Sequence, residues 1–382
     1  MKHKIAIAGA GFAGAVLARE LVETGDFQVT VFDERDHIAG NCFTKRDDET
    51  GILLHQYGPH IFNTSRKDVW DYVNRWSEFV PFVNRVKAVT REGVFSMPIN
   101  LLTINQYFKK RMNPQEAEDF LKNLSEKSIS EPQNFEEQAL TFLGSALYKS
   151  FFYGYTKKQW GVEPQKLPAS ILKRLPVRFN YDDNYYNQKY QGLPVEGYTP
   201  IVQKILKHDD IEVRLKQKFK PQEKHLYQHV FWSGPIDSYF EFKLGRLRYR
   251  TLKFEKFVAQ GDFQGNPVIN YCEAEVPYTR ITEHKHFSPW ETHEKTVCFK
   301  EYSDFAKPED TPYYPLRLPE DLTLLKKYVE LAEQEKNVTF IGRLGTYRYL
   351  DMHVVIGESL DLAKVCLSKN ISDWPSFSQS PL

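Results

Sequence analysis

Cysteine is scarce, and the four that occur, Cys42, Cys272, Cys298 and Cys366, form no CxxC pair. A zinc ribbon or finger is thereby excluded, and a disulfide framework finds no support, so no metal is expected and a reducing compartment fits. Long apolar runs are missing too: nothing approaches the roughly 18 residues that would cross a bilayer. The first apolar stretch, ending at Ala8, is a short run cut off by glycines, unlike a secretory signal. Neither sign of charge prevails, with 51 basic against 50 acidic residues and a formal net charge of +1. That balance offers no bulk attraction to nucleic acid or to an anionic membrane. The expectation is a soluble cytoplasmic protein with no nucleic-acid partner and no membrane insertion.

Aromatic residues are plentiful: 27 Phe, 22 Tyr and 6 Trp make up 14% of the 382 residues. A chain of this length has room for two or three domains with large cores, which absorb most such rings. Some rings remain available to stack on flat heterocycles or sugar faces.

The opening reads as one βαβ unit, with a strand at Lys4 to Ala8, a helix from about Ala13 to Thr24, and a strand at Gln28 to Asp33. From Leu101 to Leu147 the pattern is helical, and Asn134 with Glu137 three residues later marks a capping box. Between about Val177 and Val276, short aromatic and β-branched runs alternate with glycine turns, which predicts strands. A helix follows Pro319, with Leu322, Leu325, Val329 and Ala332 on one face. A buried strand at Val338 to Ile341, a turn at Gly342-Arg343-Leu344-Gly345 and a helix from Met352 to Leu367 come last. This second strand–turn–helix suggests a discontinuous dinucleotide domain whose final piece returns to the first sheet. The last dozen residues, rich in Ser, Asn and Pro, are expected to form a loose tail. No internal repeat is present.

Gly9-Ala10-Gly11-Phe12-Ala13-Gly14 follows a strand and opens a helix. Gly9 permits the tight turn, Gly11 lets backbone approach a pyrophosphate, and Gly14 lets helix and strand pack closely. The helix N-terminus then offers free N–H groups and a positive dipole end to the anion. Asp33 ends the next strand, where a carboxylate can accept from ribose hydroxyls. The stretch that follows, through Glu34, Arg35, Ala39, Gly40 and Asn41, favours FAD over NAD. No second GxGxxG is found, so no separate NAD(P)H domain is expected.

Several later segments combine rings with arginines beyond what a core needs. They include Phe151-Phe152-Tyr153-Gly154-Tyr155-Thr156-Lys157-Lys158-Gln159-Trp160, Lys173-Arg174, Asp183-Asn184-Tyr185-Tyr186, Pro277-Tyr278-Thr279-Arg280, Pro312-Tyr313-Tyr314-Pro315 and Tyr347-Arg348-Tyr349. Rings can stack a nucleobase, and guanidinium forks bind diphosphate oxygens. Taken singly, each Tyr reads as core or rim, and Lys157 and Lys158 as a solvated face. Together with the dinucleotide fingerprint, the set argues for a nucleotide-diphosphate ligand.

The runs Gly154-Tyr155-Thr156-Lys157-Lys158-Gln159-Trp160-Gly161, Leu175-Pro176-Val177-Arg178-Phe179, Tyr57-Gly58-Pro59-His60-Ile61-Phe62, Val276-Pro277-Tyr278-Thr279-Arg280-Ile281 and Gly342-Arg343-Leu344-Gly345-Thr346-Tyr347 resemble the prokaryotic UDP-galactopyranose mutases. The likeness extends from residue 4 to about residue 366. It implies an α/β fold: a discontinuous Rossmann-like FAD-binding domain, a helical uridine-binding domain and a twisted antiparallel β-sheet domain. The corresponding boundaries are 1–85 plus 205–240 and 335–368 for the first, 100–175 for the second, and 85–100 plus 176–204 and 241–318 for the third, with 369–382 as the tail. A homodimer is the expected assembly.

Carried over by the resemblance, Phe151, Phe152, Tyr155, Thr156 and Trp160 would hold the uridine, and Arg174, on a mobile loop, and Arg280 would grip the diphosphate. Tyr185, Tyr314, Tyr349, Asn84 and Asn270 match further substrate positions. His60, Ile61, Arg343 and the stretch Leu350, Asp351, Met352, His353, Val354 would lie by the isoalloxazine, so that Arg174, Arg280 and His60 form the catalytic set. Two positions depart from the pattern. Ala39 replaces a glycine, and Asn63 stands where the galactose enzymes usually carry His, which brings the sugar into question. The implied activity is interconversion of UDP-galactopyranose and UDP-galactofuranose, with reduced FAD as the N5 nucleophile at the anomeric carbon and no net redox change. The alternatives are a mutase for UDP-N-acetylgalactosamine or a dTDP-6-deoxyhexose, an FAD-dependent oxidase, and a non-catalytic nucleotide-sugar binding protein.

Overall fold

Ile5–Ala8 of the first strand, His3–Ala8, and Val29–Phe32 of the second, Phe27–Phe32, are buried throughout, as a parallel sheet covered on both faces requires, and the polar His3, Lys4 and Gln28 lie near the strand starts. They sit side by side in a five-stranded parallel sheet of spatial order Ile211–Arg214, Phe27–Phe32, His3–Ala8, His229–Trp232, Val338–Phe340. The computed structural model describes residues 2–174 and 177–382, with only the backbone at Ser170, Lys173 and Arg174. One sheet face is covered by the helices Phe12–Val22, Tyr198–Leu206 and Met352–Leu367, which share a core with Val29, Val31 and Phe231. The other face carries the helix Pro319–Gln334, whose Leu325, Tyr328 and Val329 pack with Trp232, Tyr239 and Phe340. The dinucleotide domain is therefore assembled from separated stretches of the chain.

The helix Tyr198–Leu206 corrects the expectation of strands throughout 177–276. Tyr198, Ile201, Val202 and Ile205 are all fully buried, and their spacing of three, one and three follows the helical period. The aromatic runs around them masked that period. This helix belongs to the core of the five-stranded sheet, and Tyr190–Pro194 before it pairs with Phe62–Thr64 and Phe79–Pro81 in a small sheet of its own.

A seven-stranded sheet runs Tyr314–Pro315, Tyr249–Gln260, Lys295–Phe305, Arg280–Glu283, Val268–Tyr271, Val86–Thr90, Gly93–Met97. It is antiparallel except for one parallel pair, Val268–Tyr271 beside Val86–Thr90. That pair arises because the two strands come from distant parts of the chain and no hairpin joins them. Against one end lies the helical region, Leu101–Tyr107, Pro114–Leu124, Phe135–Leu147 and, after a wide π-type turn at Tyr148–Tyr153, the short helix Gly154–Trp160. Asn134 accepts from the Glu137 amide at 3.0 Å, as its spacing predicts, but the Glu137 carboxylate takes the amide of Gln133 rather than that of Asn134.

The C-terminal residues do not form a loose tail. The Phe340 amide donates to the Ser376 carbonyl and the Ser378 amide to the Phe340 carbonyl, at 2.8 and 3.0 Å, so the segment extends the edge of the parallel sheet. Trp374 is buried against Phe27, His229 and Phe231, and its indole N–H donates to the Cys366 carbonyl at 2.8 Å. Phe377 stacks on Phe340, so two rings anchor a segment whose overall composition is polar.

Candidate functional site: two adjoining cavities

The glycine loop is held by packing and by one carboxylate. A Cβ on Gly14 would fall 2.1 Å from the Gly9 carbonyl oxygen, so helix and turn approach as closely as backbone permits. A Cβ on Gly11 would meet only the Gly40 Cα, at 3.9 Å, so no protein contact demands glycine there. The space it leaves faces a cavity, and the helix Phe12–Val22 begins with no side-chain cap on its N-terminal N–H groups. Asp33 accepts from the Ala10 amide at 2.8 Å and from the Arg35 amide at 3.0 Å, tying the loop to the end of the second strand.

The cavity has a volume of about 460 Å³. Of the predicted cofactor residues it brings together Gly9, Gly11, Phe12, Ala13, Asp33, Glu34, Arg35, Gly40, Asn41, His60, Arg343, Leu350 and Met352. Gly14, Ile61, Asp351, His353 and Val354 are not among its lining. Arg35 lies over the Tyr57 ring, gives one terminal nitrogen to Asn41 at 2.9 Å, and keeps the other buried without a protein partner among the described residues. Arg343 is fixed by donation to the Leu350 and Tyr313 carbonyls, and the stacked rings of Tyr314 and Tyr349 lie beside it.

Sequence reasoning missed Phe219, Trp232, Ser233 and Arg246 in this wall. The first three follow or close the strands Ile211–Arg214 and His229–Trp232 at their carboxyl ends, where open parallel sheets bind ligands. The signal was available in Trp232-Ser233-Gly234-Pro235, a turn directly after a buried run.

His60 joins this cavity to a second one. Its Nδ1 lies 2.8 Å from the Gly58 carbonyl oxygen, which fixes the proton on Nδ1 and leaves Nε2 as an acceptor. Burial, with the Arg343 cation adding to it, lowers its pKa to about 4, so the ring is neutral at physiological pH. Its neighbours Pro59 and Ile61 line a smaller cavity of about 60 Å³ together with Asn84, Tyr155, Tyr185, Tyr186, Asn270 and Arg280. One turn of chain therefore borders both spaces.

In the smaller cavity the Arg280 Nε donates to Glu301 Oε1 at 3.0 Å, a terminal nitrogen lies 3.0 Å from the same oxygen, and this buried carboxylate holds the guanidinium well above its ordinary pKa despite burial. Burial raises the phenol pKa of Tyr155 and of Tyr185, so both stay protonated donors. The side-chain oxygens of Asn84 and Asn270 are buried without a protein partner among the described residues. Two orphan acceptors, three tyrosines and one guanidinium thus line a common space, which suits a ligand rich in hydroxyls and negative charge. Tyr186 stands beside Tyr185, and Glu301 beside Tyr302, in ring-bearing segments of the sequence, but neither residue is assigned to the site from sequence, because nothing local separates it from its neighbours.

Other predicted residues fall elsewhere. Phe151 is fully buried against Phe95 and Tyr107, and Phe152 belongs to the same core. Thr156 is buried and Trp160 half-buried on the helix Gly154–Trp160. Asn63 donates to the Ile61 carbonyl at 3.0 Å from within a paired strand and is not among the lining of either cavity. The side chain of Arg174 lies outside the described residues. The two lysines do not share a solvated face: Lys157 pairs with Glu163, whereas Lys158 turns its ammonium onto a neighbouring loop.

A profile of UDP-galactopyranose mutases matches residues 150–349, and one of NAD(P)-binding Rossmann-like domains matches residues 7–76. A probable UDP-galactopyranose mutase of Klebsiella pneumoniae is 56% identical over 375 residues, covering 98% of this chain and 97% of the relative. The chain belongs to the UDP-galactopyranose mutase family. It is thus an enzyme of the isomerase class. A dTDP-fucopyranose mutase of Escherichia coli is 50% identical over 375 residues, covering 96% of this chain and 99% of its own. A solved structure of a reduced UDP-galactopyranose mutase superposes with a TM-score of 0.77 at 17% identity, over 100% of this chain and 97% of that one, which shows the shared fold. Among the described residues, no helix is long and apolar enough to cross a membrane.

Proposed function

We propose that the enzyme interconverts UDP-galactopyranose and UDP-galactofuranose on bound, reduced FAD, without net redox change. The observation that carries this reading is the turn Gly58–Ile61, with His60 on the larger cavity and Pro59 and Ile61 on the smaller one. A dinucleotide in the first would place its reactive end beside a sugar diphosphate in the second.

The residues present fit FAD. Gly11 leaves a gap that no protein atom needs, the adjoining helix start is uncapped, and Arg35 retains an unpartnered buried N–H. These groups would hold the pyrophosphate and the adenosine side, with Arg343, Leu350 and Met352 toward the ring. FAD, when bound and reduced, supplies a nucleophilic nitrogen for the anomeric carbon of the sugar.

The chain's own groups orient and neutralise. Arg280, kept charged by Glu301, would bind the diphosphate that must leave the anomeric carbon and return to it. Arg174 is assigned to the same diphosphate. Tyr155, Tyr185, Tyr314 and Tyr349 would donate to phosphate or sugar oxygens, and Asn84 and Asn270 would accept from sugar hydroxyls. His60, neutral and protonated on Nδ1, would accept at Nε2 without adding positive charge near the cofactor. Trp160 and Thr156 are assigned to the base.

A second reading has a specific observation behind it. Asn63 departs from the family's usual histidine, and one 50% identical relative acts on dTDP-fucopyranose, so a dTDP-6-deoxyhexose is the competing substrate. The deciding experiment incubates dithionite-reduced enzyme with UDP-galactopyranose, UDP-N-acetylgalactosamine and dTDP-fucopyranose, then separates pyranose from furanose. Conversion of UDP-galactopyranose at the highest kcat/KM is expected. Preference for the dTDP sugar would transfer the assignment to the second reading, and no furanose from any of them would end both.

A further inference from the structure

The loop between Asn270 and Arg280 turns four of its carbonyls toward one point, and the Lys158 ammonium occupies it. The Tyr271 and Glu273 carbonyl oxygens lie 2.8 Å from Nζ, that of Val276 2.9 Å and that of Tyr278 3.0 Å, so the three N–H groups serve four acceptors with one of them shared. Lys158 makes no ion pair with a carboxylate among the described residues, and the loop's own acids, Glu273 and Glu275, are taken by Arg91. Four carbonyl dipoles converging on one point repel one another unless a cation fills it, so the loop's shape depends on this side chain. Its remaining internal bonds are few: Val276 to the Glu273 carbonyl at 3.3 Å and Tyr271 to the Thr279 carbonyl at 2.9 Å.

The helix touches the same loop a second time. A Cβ on Gly154 would lie 2.3 Å from the Cys272 carbonyl oxygen, so helix and loop are in backbone contact one turn before Lys158. Tyr155 lies between these two contacts and lines the smaller cavity. On the loop side, Asn270 and Arg280 face each other across paired strands and line that same cavity. Far from being a solvated surface charge, Lys158 joins the helix to the loop, beside the backbone contact at Gly154.

We propose that Lys158 is a positioning residue: its ammonium clamps the 271–279 loop and so sets the distance between Tyr155 and the Asn270–Arg280 pair. The clamp rests on the proposed nucleotide-sugar reading of the smaller cavity. It touches no substrate, so its removal acts on binding geometry and leaves the cofactor cavity intact.

The test uses the cofactor-loaded full chain carrying Lys158→Ala, with UDP as the probe in calorimetry and backbone amide exchange read over 270–280. The variant is expected to keep its cofactor, bind UDP about tenfold or more weakly, and exchange the 271–279 amides faster. Propylammonium replaces the severed end of the lysine and is expected to restore both. Tetramethylammonium, which has no N–H to donate, is expected to restore neither. Unchanged UDP affinity, or a loss that propylammonium does not reverse, overturns the clamp. Where Lys158→Ala fails to fold, Lys158→Met preserves the stem, and native UDP affinity in that variant overturns it equally. If the parent protein itself does not bind UDP, the nucleotide reading falls, and the exchange of 271–279 alone decides the clamp.

Discussion

The Arg280 guanidinium reaches Glu301 through Nε and through a terminal nitrogen, both at 3.0 Å, while Glu301 is almost wholly buried. Glu301 thus fixes the plane of the guanidinium, and the remaining N–H groups are those available to a diphosphate. Arg280→Lys preserves the charge and loses the fork. UDP affinity is expected to fall about tenfold, which corresponds to about 1.4 kcal/mol, with cofactor content unchanged. Calorimetry with UDP and the visible spectrum of the purified variant check the two halves. Native affinity in the variant would show that one charge suffices and that the fork is dispensable.

Gly11→Val is expected to fold, because among the described residues, its chain neighbours aside, only the Gly40 Cα lies within 4 Å of the added Cβ. It should lose FAD, because the branched side chain fills the gap beside the helix N-terminus. The measurement is flavin absorbance per mole of protein together with a melting curve. A folded variant with full flavin content would place the pyrophosphate elsewhere.

Histidine burial sets an acid limit. Burial lowers His229 and His284 to about 3 from an ordinary 6.5, and it lowers His55 well below that ordinary value as well. In the unfolded chain these rings take up protons near pH 6.5, and in the folded chain they do so far lower. Their neutral burial therefore costs nothing above about pH 6.5, and stability is lost as the pH falls below it. Between pH 6.5 and 5 the loss amounts to as much as about 2 kcal/mol per ring. Melting curves at pH 7.5 and 5.0 are expected to show a clear drop at the lower pH. His229→Gln, which cannot titrate, should reduce that drop.

Asn63→His tests the sugar. The Asn63 amide donates to the Ile61 carbonyl, and Ile61 lines the smaller cavity. A larger ring in this buried strand must displace that contact, and the displacement reaches the cavity wall through Ile61. The ratio of kcat/KM between UDP-galactopyranose and dTDP-fucopyranose is expected to shift by severalfold, with flavin content constant. An unaltered ratio removes Asn63 from specificity.

What the sequence disclosed and what it hid divide along a physical line. Gly9 to Gly14 was legible because each glycine answers a recurrent local demand of a strand–turn–helix: a positive φ at Gly9, room for a ligand at Gly11 and close helix–turn approach at Gly14. Arg280 and Tyr185 drew notice through their ring-and-arginine segments, but Asn84 and Asn270 were legible only through the family resemblance, since nothing in the local pattern says that three distant segments converge. Lys158 was misread because four carbonyls from a loop more than a hundred residues later determine its surroundings. The docking of the tail was overlooked because two rings, Trp374 and Phe377, suffice to anchor a segment that is polar overall. The helix Tyr198–Leu206 carried its period plainly, but neighbouring aromatic runs diluted it.

The position of His3–Ala8 in the sheet has a consequence during translation. This strand lies between Phe27–Phe32 and His229–Trp232, and the latter is itself flanked by Val338–Phe340. At roughly 5–20 residues per second, the ribosome takes on the order of ten to forty seconds to deliver the partner that closes its second side. Until then an apolar strand of a nascent chain shows an unpaired edge, which invites pairing with another chain. The stretch 101–160 closes mainly short-range helical contacts and can form in that interval, whereas the nucleotide fold must wait. Yield on overproduction should therefore respond most to chaperones that act on the emerging first third of the polypeptide, and much less to those supplied after release.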